Sequence, residues 1–261
     1  EIDPETGEMI YAELNNMDIR SEQRFDILET EFTQLTFGVE HDFSDRLRFR
    51  GLVGRAESQF GNPTQVSAII DRQNVDGYTY DSRNDRNLPL IGYGFDVTDP
   101  AQWSIVGPTG AQPRSELRSS ANFQDNIYST AEANLAYDVN DWLTLKVGAS
   151  WKKFESSSTG FARLNNGAPE LPAGVTVADV TDMLEGFGRN LDLPEGSATS
   201  WVRPDLAALD SVWNYSCNCD TGVAGGDFRL LGLNDNPSTF GTWREVSEED
   251  TGAYVQADWN T

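Results

Sequence analysis

The chain has 261 residues with a mean hydropathy of −0.50, long enough for one large domain or two ordinary ones. Its 42 Asp and Glu against 19 Lys and Arg give a formal charge of −23, which repels phosphate backbones and anionic membrane surfaces and argues against nucleic-acid binding. Aromatic residues make up 11%, yet no run approaches the roughly 18 apolar residues of a spanning helix, so a helical membrane protein is excluded.

The first residues, Glu1 to Thr6, show no basic stretch followed by an apolar one, and Trp259-Asn260-Thr261 breaks off inside an alternating pattern. The chain therefore reads as a processed or partial piece. The informative signal is period-two alternation, which puts every second side chain on the same face of a strand. A first strand is expected over about 24–42, where Leu35, Phe37, Val39 and Phe43 at odd positions oppose Gln34, Thr36, Glu40 and Asp42. A second, over about 46–60, sets Leu47, Phe49 and Val53 against a basic face of Arg46, Arg48 and Arg50. A long connection over about 61–120 follows.

The arrangement then repeats. Over about 121–138, Ala131, Ala133, Leu135, Tyr137 and Val139 alternate with Thr130, Glu132, Asn134 and Asp138. Over about 142–160, Leu143, Leu145, Val147, Ala149 and Trp151 alternate with Thr144, Lys146, Ser150 and Lys152. A second long connection, about 162–241, carries two expected short helices. The one over 176–189 has Val177, Val180, Leu184 and Phe187 at helical spacing, with Thr176 and Asp179 as a capping pair. The other, over 204–213, opens on Pro204 and aligns Leu206, Leu209 and Trp213. A fifth strand over about 242–260 alternates Ala253, Val255, Ala257 and Trp259 with Gly252, Gln256 and Asp258.

The connections carry as much information as the strands. Phe43-Ser44-Asp45-Arg46 and Val139-Asn140-Asp141-Trp142 are short polar turns of the kind that close hairpins. The other two connections far exceed the median of about 4–6 residues in compact domains. Strands longer than the soluble mode of about 5–6 residues suit a tilted membrane wall, which needs about 9–11 residues to cross. Outer-membrane barrels combine short periplasmic turns with long external loops. The fold class expected is therefore all-β, antiparallel strands of a transmembrane β-barrel, with long extracellular loops that carry the short helices.

Chemistry-bearing groups are few. One histidine, His41, shares the outward face near the first turn, so no triad and no multi-ligand metal site can be assembled around it. No catalytic residue, metal or cofactor is expected. Asp71, Asp76, Asp81, Asp85, Asp96 and Asp99, and again Asp227, Asp235, Glu245, Glu248, Glu249 and Asp250, lack calcium-loop spacing and read as solvated loop surface. Gly222 to Gly226 has no following Lys-Ser or Lys-Thr and reads as a flexible turn, not a phosphate loop. Cys217 and Cys219 are too closely spaced for an ordinary zinc site and form either a local disulfide or two loop thiols. Of the loop aromatics, Tyr80, Tyr93, Trp103, Trp201 and Trp213 are the candidates to contact a ligand, with loop packing or an interfacial aromatic belt as the plain alternative.

The segments Arg24-Phe25-Asp26, 32–42, 45–54, Asn62-Pro63, Tyr80-Asp81, 99–103, 134–151 and 245–259 resemble the barrel of TonB-dependent receptors of alphaproteobacterial type. The resemblance covers most of the chain but rests on pattern, without a catalytic motif. The N-terminal plug with its TonB-contacting box and the terminal aromatic strand of that family are missing. It implies a barrel of about 22 strands in the bacterial outer membrane. Its implied partners are a plug domain, the TonB complex, outer-membrane lipid and lipopolysaccharide. Its implied function is energised import of a scarce nutrient such as siderophore iron, cobalamin or an oligosaccharide. A passive porin-like channel, or a soluble secreted carbohydrate-binding or surface-layer module, is the competing expectation.

Overall fold

The computed structural model describes residues 1–109 and 115–259; residues 110–114 of the first long connection and residues 260 and 261, which include the expected end of the last strand, lie outside it. In chain order the strands are β1 Tyr11–Leu14, β2 Met17–Ser44, β3 Leu47–Val75, β4 Tyr78–Asp81, β5 Leu90–Gly92, β6 Glu116–Asn140, β7 Leu143–Ala162, β8 Thr181–Leu184, β9 Trp201–Pro204 and β10 Arg244–Trp259. Among the described residues there is one α-helix, α1 Leu206–Trp213, between β9 and β10. Among the described residues no helix is long and apolar enough to cross a membrane.

The five long strands form one open sheet in the order β10-β7-β6-β3-β2. Antiparallel β structure thus dominates, as alternation requires. β10 runs against β7 in a single unbroken register, from Arg244 opposite Ser158 to Trp259 opposite Leu143. The short turns close as the polar residues dictate: Arg46 N–H donates to Ser44 Oγ at 3.3 Å, and Trp142 and Leu143 N–H both donate to Asn140 Oδ1. Within the described residues β2 and β10 are edges with one neighbour each, so the sheet does not close on itself.

The chain divides into two compact units. One, the sheet unit, comprises Ile27–Thr64, Ala121–Phe161 and Gly232–Thr261; the other, the loop unit, comprises Glu1–Asp26, Gln65–Ser120 and Ala162–Leu231. β2, β3, β6 and β7 contribute residues to both.

The loop unit has its own cores. Val66, Ala68, Leu117, Ala168, Val180, Leu209, Trp213 and Phe228 form one; Ile70, Val97, Trp103 and Val202 form another. Helix α1 serves the first. Asp205 caps it by accepting the N–H groups of Ala207 and Ala208, worth about 1 kcal/mol, and Asn214 ends it in the left-handed region at φ 53°. The four-residue spacing of Leu209 and Trp213 buries both on the core side.

Three sequence expectations need correction. The helix expected to open on Pro204 starts at Leu206, since Pro204 ends β9 and Asp205 is the cap. The strands run further than alternation suggests: β2 begins at Met17 instead of about 24, and β3 continues to Val75 instead of about 60, so the first connection is shorter. The expected helix over 176–189 is a single 3₁₀ turn, Val177–Val180. Its cap forms as expected, Thr176 N–H and Oγ1 both donating to Asp179. The chain then turns to strand, because β-branched Thr181 and its neighbours pair with β9, Met183 opposite Val202.

Candidate functional site

Alternation sorts the side chains of the sheet unit onto two faces. On the odd face Phe49, Ala133, Leu135, Val147, Ala149, Ala253 and Val255 lie side by side across β3, β6, β7 and β10 and line a shallow apolar surface. On β2, Leu35, Phe37, Val39 and Phe43 continue the odd phase, and Val39 Cγ1 faces Gly51 of β3. Val255 is 87% exposed and Leu35 75%. A branched or aromatic side chain left in water forgoes about 1.5–3 kcal/mol of transfer free energy. A continuous face of them marks an interaction surface.

This apolar face has limits. Along β7 it runs from Leu143 through Leu145, Val147 and Ala149 to Trp151, about nine residues, the length a tilted strand needs to cross hydrocarbon. Past Trp151 the odd positions turn polar: Lys153, Glu155 and Ser157 stand opposite Glu249, Ser247 and Glu245. Both limits carry tryptophan. At one, Trp151 Nε1 donates to Glu249 Oε1 at 2.7 Å; at the other, Trp142 and Trp259 stack with ring centres 5.6 Å apart. His41, edge-on to Phe43 at 4.6 Å, belongs to the same end as Trp142 by its place near the first turn. An indole with one apolar side and one polar tip fits a membrane interface.

Behind the apolar band the even face is polar and ionic, although Phe154 and Val246 stand exposed on it beyond Trp151. Arg48 makes a two-pronged pair with Asp138 at 2.8 and 3.0 Å, Lys146 reaches Asp258 at 2.6 Å, and Arg50 meets Glu40 at 3.4 Å. Gly148 leaves room here: a Cβ on it would run into the Tyr254 ring, which crosses that gap to donate its hydroxyl to Asn134 at 3.0 Å. The arrangement leaves a cavity of about 480 Å³ bordered by Arg48, Arg50, Asn134, Lys146 and Tyr254.

The five loop aromatics separate. Trp103 and Trp213 are buried in the two cores, their indole N–H groups donating to the carbonyls of Val97 and Glu170, so neither offers a free ring face. Tyr80 sits half-buried in β4 between Ala12 of β1 and Ile91 of β5. Tyr93 and Trp201 come together, edge to face at 6.4 Å, in a row that continues to Tyr78 on one side and to exposed Phe187 on the other. Burial pushes the Tyr93 hydroxyl above its ordinary pKa of 10.0 while the Trp201 side chain pulls it down, so the phenol is a neutral donor at physiological pH. Tyr93 and Trp201 also pack against the second core, and Phe187 is the exposed end of the row.

Two buried charges escaped the sequence reading. Asp71, expected on solvated surface, is fully buried, paired with Arg20 at 2.7 Å and hydrogen-bonded by Ser115. Arg163 is 2% exposed and donates to three carbonyls, those of Leu117, Asp227 and Gly225, with Phe228 under its guanidinium at 4.6 Å. Burial lowers its pKa to about 10, so it stays charged at neutral pH. No periodicity announces such a residue; a lone Arg in a polar loop looks like surface.

Among the described residues no group of His, Cys, Asp and Glu is arranged to hold a metal ion. Cys217 and Cys219 are joined by a disulfide. Comparison with protein-family models, with curated proteins and with solved structures finds no match for the chain.

Proposed function

We propose that this chain is wall and external loop of an outer-membrane β-barrel importer of the TonB-dependent kind, its odd face against lipid and its even face toward a wet lumen. One observation carries the membrane reading: an uncovered apolar face about nine residues tall, bounded at both limits by tryptophan and backed by ion pairs. On this reading the turns at Asp45 and Asp141 lie on the periplasmic side and the two long connections outside, as the short-turn, long-loop asymmetry of outer-membrane barrels expects. In this reading barrel closure is completed by strands beyond β2 and β10, since an open edge is not tolerated in lipid.

Import over passive flow rests on the sequence resemblance and is favoured by the packed loop unit, whose two cores give it a fixed surface. The row formed by Tyr93, Trp201 and Phe187 is where capture of a nutrient would begin. Cysteine labelling of intact cells tests the topology: reagent should reach positions 74 and 190 and not 45 and 141. Equal labelling of both sets defeats it.

A further inference from the structure

Disulfides gain stabilising effect with the length of chain they enclose. Cys217 and Cys219 enclose one residue, so their bond ties no separate elements together and does something more local. It fixes a turn. Asn218 stands in the left-handed region at φ 50°, and its Oδ1 accepts the Leu230 N–H at 2.7 Å. The Cys219 carbonyl accepts the Phe228 N–H at 2.9 Å. These two bonds hold the segment that delivers Phe228, 1% exposed, to its place beside Tyr215 and beneath Arg163.

The turn is open to reagents: Asn218 is exposed and neither cysteine is buried. The two sulfurs differ. Cys217 packs against the loop core, and the Cys219 N–H lies 3.2 Å from its Sγ. We propose that this disulfide is a thiol-exchange site for small, cationic thiols, and that opening it releases the Phe228 segment.

The chemistry follows from the two environments. An incoming thiolate attacks the Cys219 Sγ, the bond between the two cysteines breaks, and Cys217 leaves as a thiolate that the Cys219 N–H meets. A second thiolate attacks the small-molecule sulfur of the mixed disulfide and displaces the Cys219 thiolate. Two thiols become one free disulfide; their two electrons and two protons end on Cys217 and Cys219. Selectivity comes from charge. Asp220 follows Cys219 directly, Asp210 holds Ser216 N–H and Oγ in the same turn, and nearby Arg229 is engaged by Asp227. The local field attracts a cationic thiol and repels an anionic one.

The test treats the folded protein, in its native membrane or in detergent, with cysteamine or with mercaptoethanesulfonate at equal thiolate concentration, then alkylates and weighs it. Cysteamine should give two alkylations, on Cys217 and Cys219, about three- to tenfold faster than the sulfonate, and the difference should shrink in molar salt. The Phe228 and Leu230 amides should then exchange with solvent at least about tenfold faster, while those of β7 and β10 do not change. The double variant Cys217→Ser, Cys219→Ser should show the same raised exchange without any thiol. A bond that opens only after unfolding, equal rates for the two thiols, or unchanged protection in the opened or double-variant protein overturns the proposal.

Discussion

Val255 of β10 stands directly opposite Val147 of β7, and neither side chain is covered. One residue on, Gln256 stands opposite Lys146 on the ionic face. If the odd face meets hydrocarbon, Val255→Arg or Val147→Arg should cost about 2–4 kcal/mol of folding in the membrane. Gln256→Arg, with Asp258 beside it, should assemble near wild-type level. Heat-modifiable migration of the membrane fraction measures this; equal yields from both sets would detach the apolar face from lipid.

The ion pairs of the even face should differ in worth. Arg48 and Asp138 form two short bonds, whereas Arg50 and Glu40 meet once at 3.4 Å with both side chains about three-quarters exposed. Asp138→Ala should therefore lower stability more than Glu40→Ala, whose effect should be close to nil. Urea unfolding of the two variants in the same detergent separates the two, and the reverse order would count against the assigned geometry.

Arg163 should matter more than any surface charge of the loop unit. Arg163→Met leaves the carbonyls of Leu117, Asp227 and Gly225 without their donor, at about 1–3 kcal/mol for each one left unsatisfied. Limited proteolysis should cut the second long connection much faster while the five-stranded sheet stays resistant. Unchanged protease resistance would show that the three bonds are replaceable.

Acid should loosen the loop unit. A hydrogen-bonding guanidinium on the next residue but one holds Asp81 and Asp227 at about 2, below the ordinary 3.8. A depressed carboxylate contributes stability that is present above its ordinary value and lost as pH falls through the folded value. Tryptophan emission should therefore report loosening between about pH 4 and pH 2, with the transition weaker in Asp81→Asn, Asp227→Asn. A double variant with the unaltered transition would assign the acid response to other carboxylates.

Strand, turn and face were legible in the sheet unit because one side of each strand there carries apolar side chains and the other polar ones. The signal vanished where both sides are buried. Along Val66-Ser67-Ala68-Ile69-Ile70-Asp71 every residue is buried, so the sequence no longer alternates by class and β3 seemed to stop early. The segment after Thr176 misled for a different reason: its apolar residues suit a helix by spacing, but pairing of β8 with β9 decided its conformation. Trp103 and Trp213 could not be told from Tyr93 and Trp201 by composition, since which indole a core consumes depends on contacts distant in sequence. Arg163 and Asp71 were invisible for the same reason.

The most direct test of the account places a spin label at each position from 253 to 258 of the membrane-embedded protein, one at a time. Collision with oxygen and with a water-soluble nickel chelate is then measured. A lipid-facing odd face gives a period of two, with 253, 255 and 257 accessible to oxygen and 254, 256 and 258 to the chelate. Chelate access at every position would mean the apolar face meets water, and the membrane reading would be contradicted.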